Sequence, residues 1–204
     1  MNFSCEPIEA VFLKSALQMR DWPRDDLPEV AFAGRSNAGK SSAINRIAGS
    51  TALARVSKTP GRTQLINFFE SNEGRLVDLP GFGYAKASRR RQVEWQDAVN
   101  RYLVRRENLV GVVLIMDSRH PLQPFDVDMI RWSNQRQVRL VVLLSKSDKL
   151  KQGERSVCLR NVNDALSNCD NSVTVMFSSL KGTGVDEARQ SIRAMWHHAG
   201  HTDQ

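Results

Sequence analysis

Gly34-Arg35-Ser36-Asn37-Ala38-Gly39-Lys40-Ser41 reads G-x-x-x-x-G-K-S, between an apolar run, Val30-Ala31-Phe32-Ala33, and a stretch of helical pattern. A strand, a tight glycine loop and a helix in that order aim loop N–H groups and a helix N-terminus at one point, which cradles phosphate. Gly34 and Gly39 permit backbone angles that a side chain resists. Lys40 is placed to reach the β- and γ-phosphates of a nucleotide, and the Ser41 hydroxyl to ligate Mg²⁺.

Downstream of this loop, strand-like and helix-like segments alternate to the end of the chain. Strands are expected at 29–33, 65–70, 76–78, 110–117, 139–145 and 172–177. Several are unbroken apolar runs, as a parallel sheet covered on both faces requires. Helices are expected at 40–48, 88–106, 125–135, 154–168 and 185–196. Only Ser71-Asn72-Glu73-Gly74 separates the second and third strands, too little for a crossover, so these two form a hairpin. The pattern predicts an α/β fold: a six-stranded, mostly parallel sheet with one antiparallel strand and helices on both faces. Residues 1–28 read as an N-terminal extension packed on a nucleotide-binding domain of 29–204.

The phosphate loop alone does not choose the nucleotide. Asp78-Leu79-Pro80-Gly81 reads D-x-x-G at a strand end. Its aspartate can hold a Mg²⁺-bound water, and Gly81 lets a main-chain N–H approach the γ-phosphate. The polar loop Lys58-Thr59-Pro60-Gly61-Arg62-Thr63 offers two threonines that could close on Mg²⁺, and spacing does not decide between Thr59 and Thr63. Ser145-Lys146-Ser147-Asp148 follows an apolar strand and resembles the N/T-K-x-D guanine motif. The Asp148 carboxylate can accept from guanine N1–H and the 2-amino group; adenine offers neither donor, and such a site rejects the analogue by about 10⁴-fold or more. The Lys146 stem can lie along the base plane. Phe177-Ser178-Ser179, after the last strand, can offer a main-chain N–H to guanine O6.

Five elements in this order resemble those of the translation-factor class of GTPases, and the chain as a whole is similar to the EngB (YihA/YsxC type) family of bacterial GTP-binding proteins. The resemblance rests on 30–42, on Lys58 through Phe68, on Val77-Asp78-Leu79-Pro80-Gly81-Phe82-Gly83-Tyr84-Ala85, on Met116-Asp117-Ser118-Arg119-His120-Pro121 and on Phe177-Ser178-Ser179. It implies a P-loop GTPase fold and Mg²⁺-dependent GTP hydrolysis. It makes Thr63, not Thr59, the Mg²⁺-ligating threonine, with Ser41, and with Asp78 acting through water. Lys40, Thr63 and Gly81 are then the groups at the reacting phosphate. The residues expected against the nucleotide are Gly34 through Ser41; Gly61, Arg62, Thr63, Gln64 and Leu65; Asp78 through Gly81; Ser145, Lys146, Ser147 and Asp148; and Phe177, Ser178 and Ser179. The family further implies a part in large ribosomal subunit assembly and in normal cell division and septation. The chain departs from the family at Ser145, where Asn or Thr is usual, and at Phe82, where Tyr is usual.

Phe82 also occupies the position where related enzymes carry a water-orienting glutamine, so slow intrinsic hydrolysis is expected. Asn37 is a candidate to hold K⁺ near the phosphates, and equally a cap for loop backbone. The balance of 29 Lys and Arg against 22 Asp and Glu, a formal charge of +7, fits an anionic partner such as rRNA or a large-subunit precursor. Arg89, Arg90 and Arg91 open a helix whose dipole they oppose. His197, His198 and His201 read as a frayed polar end. Three cysteines in no metal spacing, no secretory leader and no apolar run long enough to span a bilayer fit a reduced, cytoplasmic, monomeric protein.

Overall fold

The structure is a computed structural model and describes residues 6–54, 65–82 and 89–199, without the side chains of 89–93, 95 and 199. The strands are β1 (Val11–Ala16), β2 (Glu29–Gly34), β3 (Ile66–Glu70), β4 (Arg75–Asp78), β5 (Leu109–Asp117), β6 (Arg139–Ser145) and β7 (Ser172–Met176). They form one sheet in the order β1-β3-β4-β2-β5-β6-β7. β4, β2, β5, β6 and β7 run parallel, and β3 is antiparallel to both β1 and β4. The sheet therefore has seven strands, not six, and a single strand, β3, runs against the rest. The additional strand is β1, drawn from the N-terminal segment.

Alternate side chains on the central strands feed two cores. Ala31, Val112, Leu114 and Met116 face α2 (Arg89–Arg105), α3 (Pro124–Arg136) and α4 (Gln152–Ala165). Val30, Phe32, Val113 and Ile115 face α1 (Lys40–Ile47) and α5 (Val185–Ala199). The segment before β2 touches both: Ile8 is buried with the second core, and Ala16 and Trp22 with the first. It wraps the β3 side of the sheet from one layer to the other. His197 and His198 are helical, because α5 continues to Ala199; His201 lies outside the described residues. Among the described residues no helix is long and apolar enough to cross a membrane.

An ionic network closes the amino end of the parallel strands. Glu29 and Arg75, the first residues of β2 and β4, are almost fully buried. Glu29 accepts from Tyr102 Oη–H at 2.7 Å and Arg106 Nε–H at 2.8 Å. Arg75 donates to both oxygens of Asp25 and to Glu70. The Arg106 guanidinium also lies 5.9 Å from the centre of the Trp22 ring.

Candidate functional site

The carboxyl ends of the parallel strands carry the chemistry, as expected where crossover loops leave an α/β sheet. β2 ends at Gly34 and runs into the loop 35–39, and α1 begins at Lys40. Gly39 caps α1 with φ 104°, a left-handed angle that glycine adopts without strain. Asn37 is also left-handed, at φ 64°, and asparagine is among the side chains that tolerate this region. Gly34 is glycine for a different reason from the expected one: a Cβ there would lie 2.8 Å from the Ile115 carbonyl oxygen of the neighbouring strand. Its requirement is close strand approach, not an unusual angle.

Asp78, at the end of β4, is buried and ion-paired with Lys40. The two motifs, 38 residues apart in the chain, thus meet. Beyond Asp78 the chain continues along β2: Leu79 N–H donates to Phe32 O at 3.1 Å, and Phe82 forms an isolated parallel bridge with Arg35. Leu79 and Pro80 are buried, and Gly81, half-buried, is the first main-chain step beyond them beside the loop. The Phe82 ring stacks on Phe125 of α3 with centroids 4.1 Å apart, which turns it away from any water-orienting role. Leu65 is exposed, and the pairing of Asn67 with Asp78 puts the start of β3 at the same sheet edge. Thr59, Gly61, Arg62, Thr63 and Gln64 lie outside the described residues.

The base-reading loop is tied to the phosphate loop twice. Ser145 Oγ lies within hydrogen-bond reach of the Ala38 carbonyl and 2.9 Å from that of Met116. The missing methyl therefore does not break this link. Lys146, itself left-handed at φ 58°, extends its stem back so that Nζ donates to Asn37 O at 2.6 Å. Asp148 accepts from Ser178 Oγ–H at 2.6 Å, and this bond is the main cause that holds its carboxyl below the usual range. Lys149 pairs with its other oxygen at 3.5 Å. Ser147 N–H donates to Phe177 O at 3.1 Å, which ties the two loops together. The Phe177 ring is in the core, so only its main chain can serve the site. Ser178 Oγ accepts from Lys181 N–H, and Ser178 O from Gly182 N–H, ordering the turn that includes Ser179.

Two residues near this site had no expected role. Asp117 ends β5 and pairs with Lys146 Nζ at 2.9 Å and with Arg119. Burial opposes charge on Asp117, but Arg119 and Lys146 outweigh it and hold the carboxyl far below its ordinary value. Its place in Met116-Asp117-Ser118-Arg119 was visible, but no spacing rule links a residue at 117 to one at 146. Asp126, at the start of α3, is buried with Oδ1 unpartnered and Oδ2 accepting from Gln123 N–H at 3.0 Å. Burial raises its pKa to about 6, against the weaker pull of that N–H and of Arg35 in the phosphate loop.

Residues 29–146 match the family described as 50S ribosome-binding GTPase. The chain is 50% identical over 183 residues to the "Probable GTP-binding protein EngB" of Tolumonas auensis, covering 89% of this chain and 86% of that one. It is 51% identical over the same length to the protein of that name from Salmonella newport, covering 89% and 87%. Among solved structures, a probable GTP-binding protein engB superposes with a TM-score of 0.67 at 23% identity, over 83% of this chain and 99% of that one. Era in complex with MgGDPNP and nucleotides of 16S ribosomal RNA gives 0.64 at 20% identity, over 82% and 56%.

Proposed function

Because the chain belongs to the EngB family of P-loop GTPases, we propose that it is a Mg²⁺-dependent GTP switch acting on a large ribosomal subunit precursor. The observation that carries the nucleotide reading is the joining of two loops: Lys146 and Ser145 anchor the Asp148 turn to the carbonyls of Asn37 and Ala38. A phosphate cradle and a single base-reading acid are thereby held in one rigid frame.

Ser41 and Asp78 supply hard oxygen donors at the loop, which suit Mg²⁺, with Thr63 as the third expected contributor. Bound there, the ion neutralises charge on phosphate oxygens. Lys40 would then pass from Asp78 to the phosphates, and Gly81 would offer its N–H to the γ-phosphate. Phe82 cannot orient water, so intrinsic turnover is slow, and a partner or K⁺ at Asn37 completes the site. The family description, 50S ribosome-binding GTPase, and the charge of +7 support a ribosomal partner in the cytoplasm and, through it, the link to cell division and septation. The alternative is a GTP-stabilised RNA-binding module with negligible turnover.

The test is nucleotide titration of the wild type and Asp148→Asn with GDP, ADP and XDP. The wild type should prefer GDP over ADP by about 10⁴-fold. In Asp148→Asn an amide donor faces the guanine amino group, so GDP affinity should fall by about a hundredfold or more. XDP, whose C2 carbonyl accepts that donor, should gain. Equal GDP and ADP binding by the wild type would overturn the assignment. GTP turnover with and without large-subunit precursors, in KCl and in NaCl, separates the switch from the binding module.

A further inference from the structure

Lys146 faces two problems of its own. Its backbone sits in the left-handed region at φ 58°, which a lysine rarely adopts unless its surroundings hold it there. Its stem has several rotatable bonds and loses much rotamer freedom when fixed. One carbonyl, Asn37 O, is a modest reward for that ordering, because an ammonium carries three donors.

Asp117 supplies a second, charged acceptor. Its Oδ2 lies 2.9 Å from Lys146 Nζ. The carboxylate is also held by Arg119, whose main-chain N–H at 3.1 Å and Nε–H at 2.9 Å reach Oδ1 and whose terminal N–H at 2.6 Å shares Oδ2 with Lys146. It cannot swing away without breaking three bonds. The main chain repeats the tie: Ser118 N–H donates to Ser145 O at 3.0 Å, and Asp117 pairs with Ser145 in the sheet. The ends of β5 and β6 thus form one platform, from which Asp117 steers a lysine across the phosphate loop.

We propose that Asp117 is a positioning residue for nucleotide recognition: its carboxylate pins the Lys146 ammonium on the Asn37 carbonyl and so fixes the base-reading loop against the phosphate loop. This rests on the reading of Lys146 and Asp148 as the guanine loop. The Ser145 link is a neutral hydroxyl contact, whereas the Lys146 link is charged, and charge-assisted bonds are roughly twice as strong as neutral ones. The charged link is the one Asp117 governs. Among the described residues the side-chain partners of Asp117 are Lys146 and Arg119, not Lys40, Ser41 or Asp78, so its loss should act on binding and leave the chemical step alone.

The experiment is a double-mutant cycle on the full chain: wild type, Asp117→Ala, Lys146→Ala and the pair, each titrated with GDP and assayed for GTP turnover. Asp117→Ala should weaken GDP binding about fivefold to twentyfold, the upper limit being set by the partial exposure of Lys146. KM for GTP should rise with kcat within about twofold. Lys146→Ala should weaken GDP at least as much, and adding Asp117→Ala to it should cost less than about twofold more. Asp117→Glu, which keeps the charge, should recover part of the affinity.

An Asp117→Ala penalty undiminished in the Lys146→Ala background overturns the inference. So does a lowered melting temperature of nucleotide-free Asp117→Ala with GDP affinity unchanged, the mark of a purely structural residue. If Lys146→Ala is weakened and Asp117→Ala is not, the inference alone fails. If Lys146→Ala binds GDP like the wild type, the guanine-loop reading itself fails and Asp117 falls with it.

Discussion

Asp126 shows at the scale of one residue how burial writes a pH dependence. Its carboxyl is buried, half-satisfied and raised to about 6. In the unfolded chain it titrates near the ordinary aspartate value, about 3.9. Between those values the folded state binds more protons than the unfolded one, so this group makes stability fall as pH rises from about 4 to about 6, and flat beyond. Asp126→Asn keeps an acceptor for Gln123 N–H and removes the buried charge. It also removes a favourable charge from the first turn of α3, which offsets part of the gain. The variant should be more stable than the wild type by roughly 1 kcal/mol at pH 7.5, with the difference vanishing near pH 4. Urea unfolding at the two values checks this, and a gain independent of pH would exclude the buried charge as its source. Asp126 was not legible as special in the chain, and Asp117 only as part of a motif with no role attached. A sequence motif reports residues that a ligand needs at fixed spacing, whereas these two owe their state to neighbours that only the fold supplies. Gly34, Lys40, Asp78 and Asp148 were legible because their spacing from strand ends is itself the signal.

At the scale of elements, the parallel strands could be read because burial on both faces makes them unbroken apolar runs, and the 65–78 hairpin because its turn is too short for anything else. β1 could not be read. Val11, Phe12 and Leu13 are all exposed, at 70%, 56% and 41%, and the register shifts between Phe12 and Lys14. An edge strand with a bulge and both faces partly open has no alternation to display. What holds the segment to the sheet is partly remote: Asp25 on Arg75, Asn108 on the carbonyls of Asp25 and Leu27, and Arg193 on those of Glu6 and Pro7. Such pairings span 50 to 187 residues and leave no local trace. Arg75→Met tests this joint. It keeps much of the volume but removes the bond that is the main cause of the depressed Asp25 carboxyl, and leaves buried Glu29 with fewer partners. The expected loss is about 3 kcal/mol, because breaking one member of a buried ionic network strands the others. A depressed carboxyl contributes above its unfolded pKa and loses its effect as pH falls through the folded value. The wild type should therefore lose more stability than Arg75→Met on going from pH 5 to pH 3. Denaturant midpoints at both values measure it, and parallel losses in the two proteins would show that Asp25 is not held by Arg75.

At the scale of the whole molecule, the excess of positive charge has to be reconciled with a site whose lysines already have acidic partners: Lys40 with Asp78, Lys146 with Asp117, Lys149 with Asp148. The surplus of +7 is therefore to be sought beyond these three pairs. One concentration is known by backbone position: Arg89, Arg90 and Arg91 open α2, and its first turn contains no acid. Three cations at a helix N-terminus oppose the dipole by a few tenths of a kcal/mol each, a cost that stability alone does not explain. They follow directly on the segment that begins at Asp78, so an anion bound there would sense the nucleotide site through chain continuity. If the partner is RNA in a large-subunit precursor, its phosphates release counterions on binding, and affinity falls with salt by roughly 0.7 to 0.9 logarithmic units per decade for each phosphate neutralised. Replacing Arg89, Arg90 and Arg91 with Ala should then weaken co-sedimentation with precursors, flatten the salt dependence by about two to three such units, and leave GDP affinity unchanged. The same sedimentation in GTP, GDP and no nucleotide should show the arginines mattering most in GTP. An unaltered salt slope would make the triplet a solvated helix end and move the search for the partner's footing elsewhere on the surface.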